Sequence, residues 1–209
     1  MGFYTDVILP FFYDTSMDST KINEGRKSIL RRITEEEILE IGFGTGINVN
    51  YYPESVKKII GIDVNKGMLN QFRKKLDEGK IEVELLHRNG ETIPFHDNSL
   101  NAVVSTYTLC TIKNVELVLK EIHRILKPDG KFYFLEHGLA DNPKTQKWQH
   151  RLNPLQNIWA GGCNLNRDIK SLIRNAGFNF LELKNYYMKR DPKILGFMYE
   201  GIAVKCLKI

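Results

Sequence analysis

The sequence predicts an α/β fold of the doubly wound, Rossmann-like type, with a mostly parallel sheet that ends in an antiparallel hairpin. Two observations predict it. Short apolar segments alternate with amphipathic helical patterns from about residue 37 to residue 136, and this order gives parallel strands with helices on both faces. Two later strand patterns, at about 178–188 and 197–207, have no helix pattern between them, so we expect them to pair as a hairpin.

The first half of the chain supplies five elements of the alternation, two strands and three helices. An apolar run at 37–41 ends at a glycine-rich loop, and a second run at 57–63 ends in an acid. Between and around them lie a helix at 19–33, a short helix near 46–52 and a helix at 66–77. Before them, residues 3–14 read as a short cap that is broken at Pro10.

The second half continues the pattern and then loosens. Strands are predicted at 81–86, 102–105 and 132–135, with helices at 114–126 and 167–176. We expect Asn114 to cap the first of these helices, and Pro128, Asp129 and Gly130 to form a turn. Residues 141–163 show no regular pattern and are predicted to be irregular.

Composition restricts the class of protein. The 209 residues fit one domain, and 42% hydrophobic with 26% charged residues is ordinary for a globular protein. The net charge of +5 is spread along the chain and indicates a solvated surface, with no sign of a nucleic-acid partner. Three distant cysteines and the lack of a signal peptide or spanning segment predict a cytoplasmic protein without disulfides.

One apolar segment near the N-terminus has two interpretations. Residues 7–12 are apolar and aromatic, and we favour a role in covering a ligand site or the core. Peripheral contact with a membrane is the alternative. The sequence does not indicate an oligomeric state.

Polar signals follow the predicted strands at the point where each strand ends. Because the carboxyl ends of parallel strands share one edge of a sheet, we expect these residues to surround one ligand site. They are Gly42, Gly44 and Gly46 after the first strand, Asp63 at the end of the second, Asn89, Gly90 and Glu91 after the third, residues 105–110 after the fourth, and Glu136 with His137 at the fifth.

The glycine loop disfavours a nicotinamide dinucleotide as the ligand. A dinucleotide-binding loop has the spacing G-x-G-x-x-G, whereas this chain has Ile47 at the last position and its third glycine one residue earlier. Asp63 has the position of an acid that binds both hydroxyls of a ribose. The sequence therefore predicts a cofactor that contains a nucleoside.

The pattern Glu40-x-Gly42-x-Gly44-x-Gly46, with Asp63 ending the next strand, resembles the class I S-adenosylmethionine-dependent methyltransferases. The resemblance runs from about residue 36 to the end and includes the Pro94 loop and the terminal hairpin. The general shape is similar to the ubiquinone and menaquinone methyltransferases. The segments 108–114, 132–137, 162–165 and 199–205 look like the thiol S-methyltransferase branch called methyltransferase-like protein 7, which implies methyl transfer to small alkyl thiols.

The resemblance implies a seven-stranded fold and a set of cofactor contacts. The cofactor would be S-adenosylmethionine, and the product S-adenosylhomocysteine. The glycines would line its methionine part with Glu40 holding their loop, Asp63 would bind the ribose, and Val64 would pack on the adenine. Asn89, with Gly90 and Glu91 beside it, would face the adenine amino group, and Thr106 or Tyr107 would face the methyl group.

The acceptor side is predicted from position. A thiol must ionise before it attacks, and His137 is our candidate base; a histidine bonded to the backbone at a strand end is the alternative. We expect Tyr13, Trp159 and Cys163 to line the acceptor pocket, with ordinary lid packing as the alternative. In the domain of residues 1–209, residues 1–34 would form N-terminal cap helices and residues 138–166 an acceptor-site insertion.

We expect no metal site, because Cys110 and Cys163 are explained as small buried residues. The predicted function is methyl transfer to a small acceptor, with a thiol first. The alternatives are a quinone-like or phospholipid acceptor, a protein that binds the cofactor without methylating, and, more distantly, a nicotinamide dehydrogenase.

Overall fold

A computed structural model of the chain describes residues 19–75, 81–189 and 191–206. The strands are β1 (Glu37–Ile41), β2 (Lys58–Asp63), β3 (Glu82–His87), β4 (Leu100–Thr106), β5 (Leu126–His137), β6 (Phe178–Tyr187) and β7 (Phe197–Lys205). The helices are α1 (Thr20–Leu30), α2 (Lys66–Lys75), α3 (Val115–Ile125), α4 (Pro143–Trp159) and α5 (Ile169–Asn175), with a 3₁₀ helix at Ile47–Tyr51. Within these residues no helix has both the length and the apolar character that crossing a membrane requires.

The strands form one seven-stranded sheet in the order β3-β2-β1-β4-β5-β7-β6. Strands β1 to β5 are parallel, whereas β7 is antiparallel to both β5 and β6. The predicted fold class is therefore confirmed. The chain winds outward from β1 to β3 and then returns to β4, so the strand order reverses between β1 and β4. Ligands of such sheets bind at the carboxyl ends of the strands next to this point.

Alternation along β1 divides the core between the two faces of the sheet. Leu39 and Ile41 pack with the apolar residues of α3 and α5 on one face. Ile38 packs with those of α1 and α2 on the other face. Glu40, which is 1% exposed, shares the period of Ile38 and therefore points toward the α1 side. The end of β1 thus carries a buried acid directly below the glycine loop.

The prediction that residues 141–163 are irregular is wrong, because most of them form α4. Asn142 caps this helix by accepting hydrogen bonds from the backbone N–H groups of Lys144 (2.9 Å) and Thr145 (3.3 Å), and Pro143 occupies its first turn. The sequence did not mark the packed face of this helix, because its buried residues are the polar Thr145 and Gln149, whereas Leu155, Ile158 and Trp159 are exposed. The proposed acceptor-site insertion at 138–166 is accordingly mostly helical.

Two local predictions also need correction. The Asn114 side chain does not cap α3; its Nδ2 donates a 3.0 Å hydrogen bond to Glu91 Oε1. Pro128 to Gly130 do not form an isolated turn before the fifth strand but lie within β5. The pairing steps from Leu100 with Leu126 to Ala102 with Lys131, so residues 127–130 bulge opposite Asn101.

Candidate active site

The loop after β1 requires glycine at positions 42 and 46, because each of these residues packs against a different neighbouring side chain. Gly42 and Gly46 have φ angles of 73° and 76°, in the left-handed region that side chains disfavour. A Cβ at Gly42 would lie 2.1 Å from Thr108 Oγ1, and one at Gly46 would lie 2.2 Å from Phe72 Cδ2. The loop therefore passes close to both the segment after β4 and helix α2. Gly44 also has a positive φ, of 60°.

Glu40 connects this loop to the 3₁₀ helix beneath it. Its Oε1 accepts a 2.6 Å hydrogen bond from Asn48 Nδ2, and its Oε2 accepts a 2.8 Å hydrogen bond from the Tyr52 hydroxyl. Burial raises the pKa of Glu40 to about 7, although these two hydrogen bonds and the charge of Arg26 act to lower it. The geometry supports the role of holding the loop.

Asp63, at the end of β2, bonds to the same loop. Its Oδ2 accepts a 2.8 Å hydrogen bond from the Gly44 N–H, and its Oδ1 accepts a 2.7 Å hydrogen bond from the Asn65 N–H. Burial raises the pKa of Asp63, and the backbone hydrogen bonds partly oppose this shift. Val64, the next residue, is 40% exposed, and its carbonyl oxygen lies 3.0 Å from His87 Nε2. An acid and an apolar side chain thus stand together beside the glycine loop.

The segment after β3 extends along the other side of the same edge. Gly90 fits closely against Val118 of α3, at 3.2 Å from the position of a Cβ, and against Ile41. Asn89 is exposed, and the bond from Asn114 anchors Glu91 to the start of α3. The structure therefore brings Asn89, Gly90 and Glu91 near the end of β1, as the sequence predicted for residues of one cleft.

Arg26 is a site residue that sequence reasoning missed. It lies on α1, is 2% exposed, and lines a narrow cleft together with Glu40, Gly42, Asn48 and Thr106. Its guanidinium lies 5.3 Å from the centre of the Tyr107 ring, a cation–π contact, and its Nη1 donates a 3.0 Å hydrogen bond to Asn23 Oδ1. The available signal was a charge within the apolar stripe that contains Ile22 and Ile29.

Thr106 and Tyr107 lie where β4 ends. Thr106 is buried, and its Oγ1 accepts a 2.9 Å hydrogen bond from Asn48 Nδ2. Tyr107 has a φ of 52°, which is strained for a residue with a side chain, and its N–H donates to the Leu135 carbonyl at 2.8 Å. Burial raises the Tyr107 pKa far above its usual range, so its hydroxyl stays protonated. In this backbone conformation the Tyr107 ring faces Arg26.

Next to this turn, three sequence-distant groups meet in a cluster that we call the Cys–His–Cys cluster. Cys110, His137 and Cys163 have their sulfur and ring nitrogen atoms within 4.8 Å of one another. Cys163 Sγ lies 3.5 Å from His137 Nε2 and 3.9 Å from Nδ1. A hydrogen bond from Cys110 lowers the pKa of Cys163, whereas the same bond and burial raise the pKa of Cys110. Explaining the two cysteines as inert core residues does not account for this convergence.

The other predicted acceptor residues are not part of this cluster. Trp159 is 78% exposed at the end of α4 and lines an apolar groove with Leu155 and Leu195. Among the described residues that line this groove, Cys163 does not occur. Tyr13 lies outside the described residues. The structure therefore places Trp159 on the apolar groove and Cys163 in the cluster, with the Cys163 N–H bonded to the Ala160 carbonyl beside Trp159 at 3.2 Å.

Known proteins resemble the chain in both sequence and fold. Residues 39–134 match a family model described as a methyltransferase domain. The chain is 33% identical over 172 residues to thiol S-methyltransferase TMT1A of Homo sapiens, which covers 80% of this chain and 70% of that protein. The chain belongs to the class I S-adenosylmethionine-dependent methyltransferases. It is an enzyme that uses S-adenosylmethionine as its cofactor.

Two further relatives extend this assignment. The methyltransferase is 26% identical over 193 residues to demethylmenaquinone methyltransferase of Oceanobacillus iheyensis, covering 77% of this chain and 78% of that enzyme. The crystal structure of the YcgJ protein of Bacillus subtilis has the same fold, with a TM-score of 0.66 at 20% identity over 82% of this chain and 76% of that one. The thiol S-methyltransferases that it matches are aligned over 62% to 70% of their own lengths.

The groups around the cleft fit the cofactor chemically. S-adenosylmethionine carries a carboxylate, a ribose with two hydroxyls, an adenine and a sulfonium. The cleft offers a buried guanidinium in Arg26, a carboxylate in Asp63 and an apolar side chain in Val64, arranged around a loop with little side-chain bulk. Arg26 is the group of this set with the charge to hold the cofactor's carboxylate.

Proposed function

We propose that this methyltransferase acts on a small thiol. The observation that carries the proposal is the convergence of three separate sequence segments. Segments 108–114, 132–137 and 162–165 carry the narrower resemblance to thiol S-methyltransferases, and each contributes one member of the Cys–His–Cys cluster. The chain's 33% identity to a thiol S-methyltransferase supports the same acceptor.

The cluster lies on the side of the cleft where an acceptor would approach. Cys110 lies three residues after Tyr107 in the chain. The Cys110 carbonyl accepts a 2.9 Å hydrogen bond from the Asn164 N–H. Tyr107 in turn contacts Arg26, the proposed partner of the cofactor's carboxylate. The methionine end of the cofactor and the cluster would therefore flank the same loop, with Thr106 and Tyr107 between them.

The bound cofactor supplies a methyl group on a sulfonium, which is already a good leaving group. The protein's task is then to orient the two partners for in-line displacement and to provide the acceptor as a thiolate. We assign the orientation to Arg26, Asp63 and the glycine loop. In the protein without a bound metal ion, His137 is the group that accepts the thiol's proton or stabilises the thiolate, because its ring already faces the Cys163 sulfur at 3.5 Å.

A second acceptor class has some support. The groove beside Trp159 is apolar, and Ile158 and Trp159 are more than 70% exposed, at 74% and 78%. A lipid-soluble ring would suit such a surface, and the chain is also similar to a demethylmenaquinone methyltransferase. The groove is lined by none of the three members of the Cys–His–Cys cluster, so the two acceptors predict different variants as inactive.

The test is transfer of radiolabelled methyl groups from S-adenosylmethionine to alkyl thiols, quinols and phosphatidylethanolamine vesicles. We expect label on the thiols, loss of most transfer in His137→Gln, and full transfer in the control Cys206→Ser, since Cys206 is an exposed cysteine. Label confined to quinols or lipid, with His137→Gln active and Trp159→Ala inactive, would replace the thiol by the other acceptor class.

A further inference from the structure

We propose that the Cys–His–Cys cluster is a zinc site whose fourth coordination position receives the acceptor's thiolate. This replaces the sequence-based expectation that the chain has no metal site. The occupant of the fourth position rests on the proposed thiol acceptor, whereas the metal site itself rests on the three protein groups. The assignment of the chain as a methyltransferase does not by itself require a metal site.

The spacing of the three groups fits a tetrahedral ion. With Zn–S near 2.3 Å and Zn–N near 2.0–2.1 Å, ligand atoms around tetrahedral zinc lie roughly 3.6 Å (S to N) and roughly 3.8 Å (S to S) apart. Cys163 Sγ and His137 Nε2 are 3.5 Å apart, and all three ligand atoms lie within 4.8 Å of one another. Coordination would therefore require movements of about 1 Å or less.

The three ligands come from separate elements that are each fixed in place. His137 is the last residue of β5, and it pairs with Met198 of β7. Asn164 ties the other two segments together, because its N–H and its Nδ2 both donate to the Cys110 carbonyl, at 2.9 and 3.0 Å. Cys163, adjacent to Asn164, is thereby held against Cys110. Ligands on such supported backbone are what a preformed metal site requires.

Charge and donor type select the metal. Two thiolates and a neutral imidazole suit zinc, whereas magnesium and calcium prefer oxygen ligands. Two thiolates also neutralise a divalent cation, which makes its burial tolerable. The neighbouring Glu136 is fully buried, and its Oε2 has no hydrogen-bond partner among the described residues. Burial raises the pKa of this acid, so the two thiolates remain the groups that balance the charge of the ion.

The number of protein ligands indicates a catalytic rather than a structural ion. Structural zinc sites have four protein ligands, whereas catalytic sites have three and leave one position for water or substrate. Cys163 is half-buried, so the cluster is not sealed on its side. We therefore place the acceptor at the fourth position, on the side of Cys163.

The thiol binds zinc through sulfur and releases its proton to solvent. A lone pair of this sulfur then forms the new bond to the methyl carbon, while the bond from that carbon to the sulfonium breaks and its electron pair stays on the cofactor's sulfur. The neutral thioether is a weaker zinc ligand than the thiolate and leaves. His137 then acts as a ligand, and the metal stabilises the thiolate in place of a base.

The experiment uses the full chain after treatment with a chelator. Zinc is added, unbound metal is removed, and bound zinc per chain is measured by mass spectrometry. Cobalt(II) is then used as a spectroscopic probe, because thiolate ligands give it a charge-transfer band. We expect about one zinc per chain, and a change in the cobalt spectrum when an alkyl thiol is added.

Variants separate this site from incidental binding. Cys163→Ser removes a half-buried ligand with little risk to the fold and should weaken zinc affinity by more than about 100-fold, since loss of even an outer partner costs 10–100-fold. Cys206→Ser is the matched control and should bind zinc as the parent does. Circular dichroism and S-adenosylhomocysteine binding establish that each variant is folded.

Three results would overturn the proposal. The first is a folded parent chain that binds less than stoichiometric zinc, even if it methylates thiols, in which case the proposed function survives without the metal. The second is a Cys163→Ser variant that keeps its zinc, which would locate the metal elsewhere. The third is a cobalt spectrum that no thiol changes, which would remove the acceptor from the metal and leave a structural ion.

Discussion

Replacing Gly42 by alanine tests whether the glycine loop has the conformation described here. The new Cβ would lie 2.1, 2.3 and 2.7 Å from three atoms of Thr108, where ordinary contacts begin near 3.4 Å. Thr108 would have to move by about 1 Å, disturbing its Oγ1 bond to the Thr106 carbonyl (2.9 Å) and its N–H bond to Glu136 (3.1 Å). Losing one neutral and one charge-assisted hydrogen bond costs about 2–4 kcal/mol.

The positive φ of Gly42 adds backbone strain of about 1–3 kcal/mol for alanine, so the control must also be a glycine with a positive φ. Gly162 has a φ of 98°, but a Cβ there would meet nothing closer than 3.6 Å. The difference in stability between Gly42→Ala and Gly162→Ala therefore isolates the contact with Thr108. For a chain of this length, about 2–4 kcal/mol corresponds to a difference in melting temperature of at least about 4 °C.

The assay is differential scanning calorimetry of both variants, together with calorimetric titration of S-adenosylhomocysteine. We expect Gly42→Ala to melt below Gly162→Ala and to lose cofactor affinity, because the segment after β4 and the glycine loop both border the cleft. The reasoning would be refuted if the two variants melted together and Gly42→Ala bound the cofactor like the parent chain.

Two further predictions concern charged groups of the cleft. Arg26→Met should weaken S-adenosylhomocysteine binding by about 10- to 100-fold, since a charge-assisted hydrogen bond contributes about 1.5–3 kcal/mol. The control is Arg31→Met, because Arg31 is exposed. If titration calorimetry gave equal affinities for the two variants, Arg26 would not be part of the cofactor site. Glu40 has a pKa of about 7 in the folded chain against an ordinary 4.5, so between these values the folded state binds more protons than the unfolded state. Its contribution to stability is therefore fully present below pH 4.5 and is lost as the pH rises through 7, by up to about 3 kcal/mol. Thermal melts of the parent chain and Glu40→Gln across this range should diverge with pH, and a constant difference would contradict the assignment.

The cofactor half of the site could be predicted because its signals are local. Gly42, Asp63 and Gly90 each follow a strand within a few residues, and the parallel order of the strands then places them at one edge. Two contacts in that half involve residues that are far apart in the sequence, so the sequence did not predict them. Arg26 reaches the cleft from α1, and Asn114 bonds Glu91 instead of capping its own helix. The sequence shows that Arg26 is charged and that Asn114 can cap a helix. It does not show which partner each side chain contacts in the fold.

The acceptor half could not be assembled in the same way. Cys110 and Cys163 looked like isolated small residues because nothing in the chain near either one marks a ligand site. They meet His137 only because β5 extends to the same edge and α4 returns the chain over it. Helix α4 was missed although Trp148, Leu155 and Trp159 recur at helical spacing. Its packed side carries the polar Thr145 and Gln149, so the apolar pattern does not coincide with a buried face.

The segment from Thr106 to Cys110 connects the cofactor half of the site with the Cys–His–Cys cluster. Thr106 accepts from Asn48, which also bonds Glu40 below the cofactor loop. Two residues later, the Thr108 N–H bonds Glu136, the neighbour of His137 in β5. Five consecutive residues, 106–110, therefore join the hydrogen bonds below the cofactor loop to the Cys–His–Cys cluster. Tyr107 in this segment has a strained φ of 52°, so its backbone has few alternative conformations. We infer that this short segment, rather than the exposed surface of α4, sets the distance between methyl donor and acceptor.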